Sequence, residues 1–352
     1  MSGSTVSPPV VSNDFIKVRP SWLELHREEV LEPELPIVDP HHHLWDHPGE
    51  QRYLMPDLLQ DVYSGHNIIA TLFVECRVMY RADAPLESRS LGETEFVNGI
   101  AAMSASGGYG PTRVCAGIIG NVDLRLGSRA GAAIEAHIAV SGGRLRGIRN
   151  VSAWHPEGIK ATTSNPHPGL LLDPAFRSGF ASLARFGLSF DAWLVHTQIE
   201  DLINLARAFP DTTIVLDHVG GPLGIGSYVG KRQEVFTQWA ALIRDISRCP
   251  NVHVKLGGLG MHTVGMNFHA RELPPSSQAL ADAWRPYIET CIDAFGPARC
   301  MFESNFPVDK GTCSYRVLWN AFKRLTANYT AAEKATLYSG TADKVYRLAL
   351  PS

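Results

Sequence analysis

Apolar residues recur along the chain in two alternating rhythms. Short, continuous, β-branched runs lie at 35–39 (LPIVD), 68–76 (IIATLFVEC), 113–122, 145–151, 187–195, 212–219, 251–259 and 298–305, eight in all. Between most of them, apolar positions return with the 3.6-residue period of an amphipathic helix, as at 173–187, 198–210, 234–250 and 279–296. Pro or Gly closes several of these stretches, as expected just past a helix end. Continuous apolar strands alternating with helices predict a parallel sheet covered by helices. Strand starts spaced roughly 25 to 50 residues apart suit βα units. Eight such units predict an α/β fold closed into a (β/α)8 barrel.

Segments that break the rhythm also have a pattern. Residues 1–34 are rich in Ser, Val, Pro and Glu without a clean period and read as an N-terminal arm. Residues 35–352 read as one barrel domain. Long insertions at 77–94, 152–172, 219–233 and 259–277 each follow a predicted strand. Loops after strands lie at the C-terminal face of a barrel, where such folds hold their chemistry.

Composition narrows the partners. The net charge of −3 gives no basis for a phosphate-binding face, so nucleic acid is a poor partner. Six cysteines without a C-x-x-C pair are too sparse for a disulfide scaffold and suggest a reducing compartment. The N-terminus lacks a basic start followed by an apolar core, and no run of about 18 apolar residues appears. A cytoplasmic protein acting on a small molecule, away from membranes, is the expectation. The arm could reach a second copy, so a homodimer is the assembly to consider.

The chemistry concentrates at predicted strand ends. In IVDPHHHLWD (37–46), His41 and His43 are two apart and can share a face just beyond the first strand, while His42 points elsewhere. Two imidazoles at a strand end can form half of a metal site or serve as hydrogen-bonded structural groups. His196 follows the fifth strand and His218 closes the sixth. Histidines at three strand ends of one barrel can converge on a single cavity.

VDPHHHLWD, the strand-5 histidine, LDHVGGP and SNFPVD together resemble the amidohydrolase superfamily, in particular its lactonase-like branch. The resemblance runs from about Leu35 to Leu350. It implies a barrel with its site at the C-terminal end. It also implies His41, His43 and His196 as ligands of a divalent metal, zinc by preference, with a metal-free site left open. His218 then moves a proton or polarises a carbonyl. Relatives carry an aspartate at the end of strand 8 where this chain has Asn305. An amide is no general base. Glu303, two residues earlier, and Asp309, four later, are the carboxylates that can supply the missing charge.

On the substrate side, Arg77 and Tyr80 open the loop after strand 2 and Arg149 ends strand 4. Bidentate arginine–carboxylate pairing suits Arg77 and Arg149, unless they pair internally with Glu75. Lys255 on strand 7 is an internal ion-pair partner or an electrophilic aid. Trp154 stands near the same rim. The reading these residues support is hydrolysis of a lactone of a small carboxylated or sugar-derived substrate. Decarboxylation of an aromatic or unsaturated acid is the rival, and a barrel that binds without turnover is the third reading.

Overall fold

The computed structural model describes residues 15–46, 51–158 and 166–350. Eight strands form one parallel sheet in sequential order: β1 (Ile37–His42), β2 (Ile68–Val74), β3 (Arg113–Gly120), β4 (Leu145–Arg149), β5 (Ser189–Ala192), β6 (Ile214–Leu216), β7 (Val252–Leu256) and β8 (Cys300–Phe302). The sheet curls until its ends meet. Asn305 N–H donates to His41 O at 2.9 Å and His43 N–H to Phe306 O at 2.8 Å, while His42 bridges Phe306 in parallel. This is the expected (β/α)8 barrel, and each of the eight apolar runs contributes one strand.

Two local features differ from the pattern. The stretch 173–187 divides into helices Pro174–Phe180 and Ser182–Phe186. Asp173 caps the first through hydrogen bonds from the Ala175 and Phe176 N–H groups, and left-handed Gly187 ends the second. In addition, β1 extends through His42, so His41 lies within the strand rather than beyond it.

Helices coat the barrel with apolar faces. Ser277–Phe295 buries Leu280, Trp284, Ile288 and Phe295, and Tyr315–Leu325 buries Leu318, Trp319 and Phe322. The C-terminal helix Thr341–Tyr346 brings Tyr346 to the barrel interior, where its hydroxyl donates to Asp191 at 2.7 Å.

The described part of the arm lies on the barrel. Trp22 Nε1 donates to Glu272 O, Leu31 N–H donates to Asn320 Oδ1, and Arg19 reaches His269 O. Residues 1–14, and 159–165 within the predicted 152–172 insertion, lie outside the described residues. All six cysteines are free. No helix among the described residues is long and apolar enough to cross a membrane.

Candidate active site

β1, β6, β7 and β8 bring His41, Asp217, His218, Lys255 and Glu303 into one buried cluster. Glu303 is its centre. Its Oε1 accepts from the His218 backbone N–H at 3.1 Å and lies 2.7 Å from His218 Nδ1. Its Oε2 lies 2.7 Å from His41 Nδ1. The His41 and His218 rings stand 4.6 Å apart. Burial by itself pushes the Glu303 carboxyl up, but the charges of His218 and then His41 hold it well below the usual carboxylate range.

His218 reaches this place through an unusual backbone. Its φ is +56°, and Val219 follows at +48°. Strict alternation would send Asp217 and His218 to opposite faces; the left-handed turn lets both join the cluster. The glycines after β7 make the room. A Cβ on Gly257 would lie 2.5 Å from Glu303 Cγ. One on Gly258, itself at φ +67°, would lie 2.6 Å from the His218 ring.

Two internal cations neutralise the surrounding carboxylates. Lys255 Nζ lies 2.7 Å from Asp191 Oδ2, 3.1 Å from Asp217 Oδ1 and 3.3 Å from His41 Nδ1. Burial opposes the ammonium, yet Asp191 and Asp217 raise its pKa above the ordinary value. Arg149 Nε donates to Glu75 Oε1 at 2.8 Å, and its NH1 lies 3.6 Å from Asp217 Oδ2 and 3.3 Å from His41 Nε2. Burial and the Lys255 charge push the His41 pKa well below the usual histidine value.

Asn305 adopts φ +55° and donates Nδ2–H to Asp309 Oδ1 at 3.0 Å. That bond fixes the amide and leaves its carbonyl oxygen for other partners. Asp309 Oδ2 accepts the Gly260 N–H at 3.0 Å, and burial pushes the Asp309 carboxyl up to about 7.

The other residues singled out by the sequence take varied places. His43 is buried, with Nδ1 2.8 Å from Val74 O and its ring 5.0 Å from that of His41. His42 turns away to Thr71. His196 belongs to a different aromatic group. Its ring packs 5.3 Å from Tyr228, which also meets His155, and its Nδ1 accepts the Leu223 N–H at 3.3 Å. Burial pushes its pKa down to about 4. Arg149 is buried and committed to Glu75 and Asp217, and Lys255 is buried against Asp191 and Asp217. Arg77 is exposed at φ +67°, and the Tyr80 hydroxyl is buried. Trp154 is half-buried, with its N–H on Gln198.

Asp217 and Asp191 are the members that the sequence reading did not single out. The first signals itself only by adjacency to His218, and the second by a carboxylate inside an apolar strand, which is costly to bury unless paired.

The donor types suit a divalent ion. His41, Asp217 and His218 each offer a ligand atom, all within 4.8 Å of one another, the only such group found among the described residues. His218 places Nδ1 on a carboxylate and His43 places Nδ1 on a backbone carbonyl. That outer bonding leaves Nε2 as the lone pair, as in metal-binding histidines. Neither His43 nor His196 is a member of the 4.8 Å group.

Barrel and site together define an amidohydrolase-type protein, and the chain belongs to that family: residues 38–348 match the amidohydrolase family. An uncharacterised protein of Sinorhizobium fredii is 31% identical over 336 residues, covering 90% of this chain and 99% of its own. An L-fucono-1,5-lactonase of Burkholderia multivorans is 25% identical, covering 90% of this chain and 97% of its own. Among solved structures, an amidohydrolase from Burkholderia multivorans with bound zinc superposes with a TM-score of 0.67 at 23% identity, covering 90% of this chain and 99% of its own.

Proposed function

We propose that the protein hydrolyses the lactone ring of a small, sugar-derived substrate. The observation that carries this reading is the Glu303–His218 pair, a buried carboxylate 2.7 Å behind an imidazole. Such a pair holds the ring with Nδ1 protonated and stabilises the imidazolium that forms when Nε2 takes a proton from water. The base absent at Asn305 is thereby supplied by His218, with Glu303 as the group that orients and charges it. The ring of Trp193 packs edge-on to the His218 ring at 4.7 Å between centroids.

A neutral polyol lactone suits this site better than a dicarboxylate. Arg149, the expected carboxylate clamp, is already paired with Glu75 and Asp217. The relative named L-fucono-1,5-lactonase supports the same substrate class.

His41, Asp217 and His218 would hold a divalent ion, zinc by donor type, which when bound supplies Lewis-acid polarisation of the ester carbonyl. His218 cannot hold an ion and accept a proton at once. In the ion-loaded form the proton would pass to another group, for which Asp309, held against Asn305, is the candidate carboxyl.

The test is a panel of sugar lactones and aromatic acids followed with a pH indicator and carbon dioxide detection, alongside metal analysis of the purified protein. Acid release from lactones without carbon dioxide is the expected result. Carbon dioxide from an aromatic acid would instead assign the chain to decarboxylation. Activity that survives chelation favours His218 as proton acceptor. One equivalent of ion, lost in His218→Asn, favours the ion-loaded form.

A further inference from the structure

A cavity of about 400 Å³ lies between the N-terminal arm and the barrel rim. Phe15, Ile16 and Val18 of the arm and Trp45, Tyr53 and Pro307 of the barrel are among the residues that line it. The aromatic wall is well held. Phe15 stacks on Trp45 at 5.5 Å with planes 5° apart, and Trp45 and Tyr53 exchange backbone hydrogen bonds of 2.8 and 2.9 Å. The Trp45 ring also stacks at 6.0 Å on that of His43, which in turn stands 5.0 Å from the His41 ring.

The charge around this cavity is mostly positive. Lys17, Arg52 and Lys310 line it against a single carboxylate, Asp57. Lys310 is paired with Asp61 at 2.6 Å, and Asp57 is engaged by the Leu54 N–H at 2.9 Å. Lys17 and Arg52 are exposed and have no ion-pair partner among the described residues. A cavity of this size that mixes aromatic and polar walls, with two cations at its edge that have no ion-pair partner among the described residues, suits a flat anion.

We propose that this cavity is a binding site for a small aromatic carboxylate, separate from the reaction centre and linked to it through Trp45 and His43. The ring of the ligand packs among Phe15, Trp45 and Tyr53, and its carboxylate meets Lys17 and Arg52. Because Trp45 also stacks on His43, an occupant here bears on the placement of that imidazole.

Benzoate is the probe, titrated into the full-length protein by calorimetry, which needs no turnover and so stands apart from the proposed lactone hydrolysis. Saturable one-to-one binding is expected. The double variant Lys17→Ala/Arg52→Ala should weaken it by about tenfold or more, and Phe15→Ala should weaken it as well. His218→Asn should leave it unchanged. Lack of saturable binding, equal binding by the double variant, or loss of binding in His218→Asn would each overturn the proposal; the last would mean that benzoate occupies the reaction centre instead.

Discussion

Glu303 Oε1 lies 2.7 Å from His218 Nδ1 and also accepts the backbone N–H of the same residue at 3.1 Å. One oxygen thus fixes both the position of His218 in the chain and the tautomer of its ring. A carboxylate so placed acts through the imidazole and is itself a weak base, because the two histidines hold its pKa low.

Replacing Glu303 with Gln keeps the shape and removes the charge. The imidazolium formed during proton transfer then loses its counter-charge. The turnover number should fall by about 10²-fold or more, with an unchanged circular dichroism spectrum. Near-normal turnover would remove Glu303 from the mechanism.

Asn305→Asp restores the residue type that the family resemblance leads one to expect, yet it should not improve activity. The new carboxylate would stand about 3 Å from Asp309 Oδ1, where Asn305 now donates, and two buried like charges cannot both ionise there. Thermal melts should show lower stability near pH 8 than near pH 5 relative to the parent, and lactone turnover should drop. A gain in turnover would mean that Asp309 is not the partner of this position.

Gly258→Ala tests the backbone clearance around His218. The added methyl would sit 2.6 Å from the ring, at a φ of +67° that side chains rarely adopt. The expected result is a drop in turnover of at least about tenfold with a cost of roughly 1–3 kcal/mol in stability, measured by kinetics and urea unfolding. Unchanged kinetics would show that the ring does not need this position.

Glu93 offers a pH test outside the reaction centre. It is buried, and its Oε1 accepts the N–H groups of Cys76 and Val78 at 2.9 and 3.0 Å. Burial, then the charge of Glu75, raises its pKa to about 8. The folded protein therefore holds this proton more tightly than the unfolded chain. Its contribution to stability is fully present below about pH 4.5 and is lost as pH rises through 8. Glu93→Gln keeps the acceptor and removes the titration. Urea unfolding should show the variant gaining on the parent between pH 5 and 8; a constant difference would refute the raised pKa.

Much of the fold was legible because barrel strands advertise themselves. A strand buried on both faces must be apolar along its length, and the eight runs that meet this rule are the eight strands. The candidate site was legible in part. His41 and His218 are legible from their places at strand ends, and Glu303 as the carboxylate two residues before Asn305; the three meet in one cluster. His196 was named by the same logic and lies instead with Tyr228 and His155, because it sits four residues past the end of β5, where loop geometry rather than strand period sets direction. Asp217 escaped because alternation assigns it to the face opposite His218, and only the left-handed backbone at His218 defeats that rule.

By itself the sequence determined the barrel and the strand ends at which chemistry gathers, since these follow from the periodicity of burial along the chain. It also placed an asparagine, Asn305, where the family resemblance implies a strand-8 aspartate. Only the tertiary structure decided that Glu303 stands behind His218, that Arg149 and Lys255 are spent on internal carboxylates, and that the arm packs Phe15 onto Trp45. The reason is that a strand's period specifies a face, whereas partners across a barrel are chosen by register, backbone twist and the need of every buried charge for a counter-charge within about 4 Å.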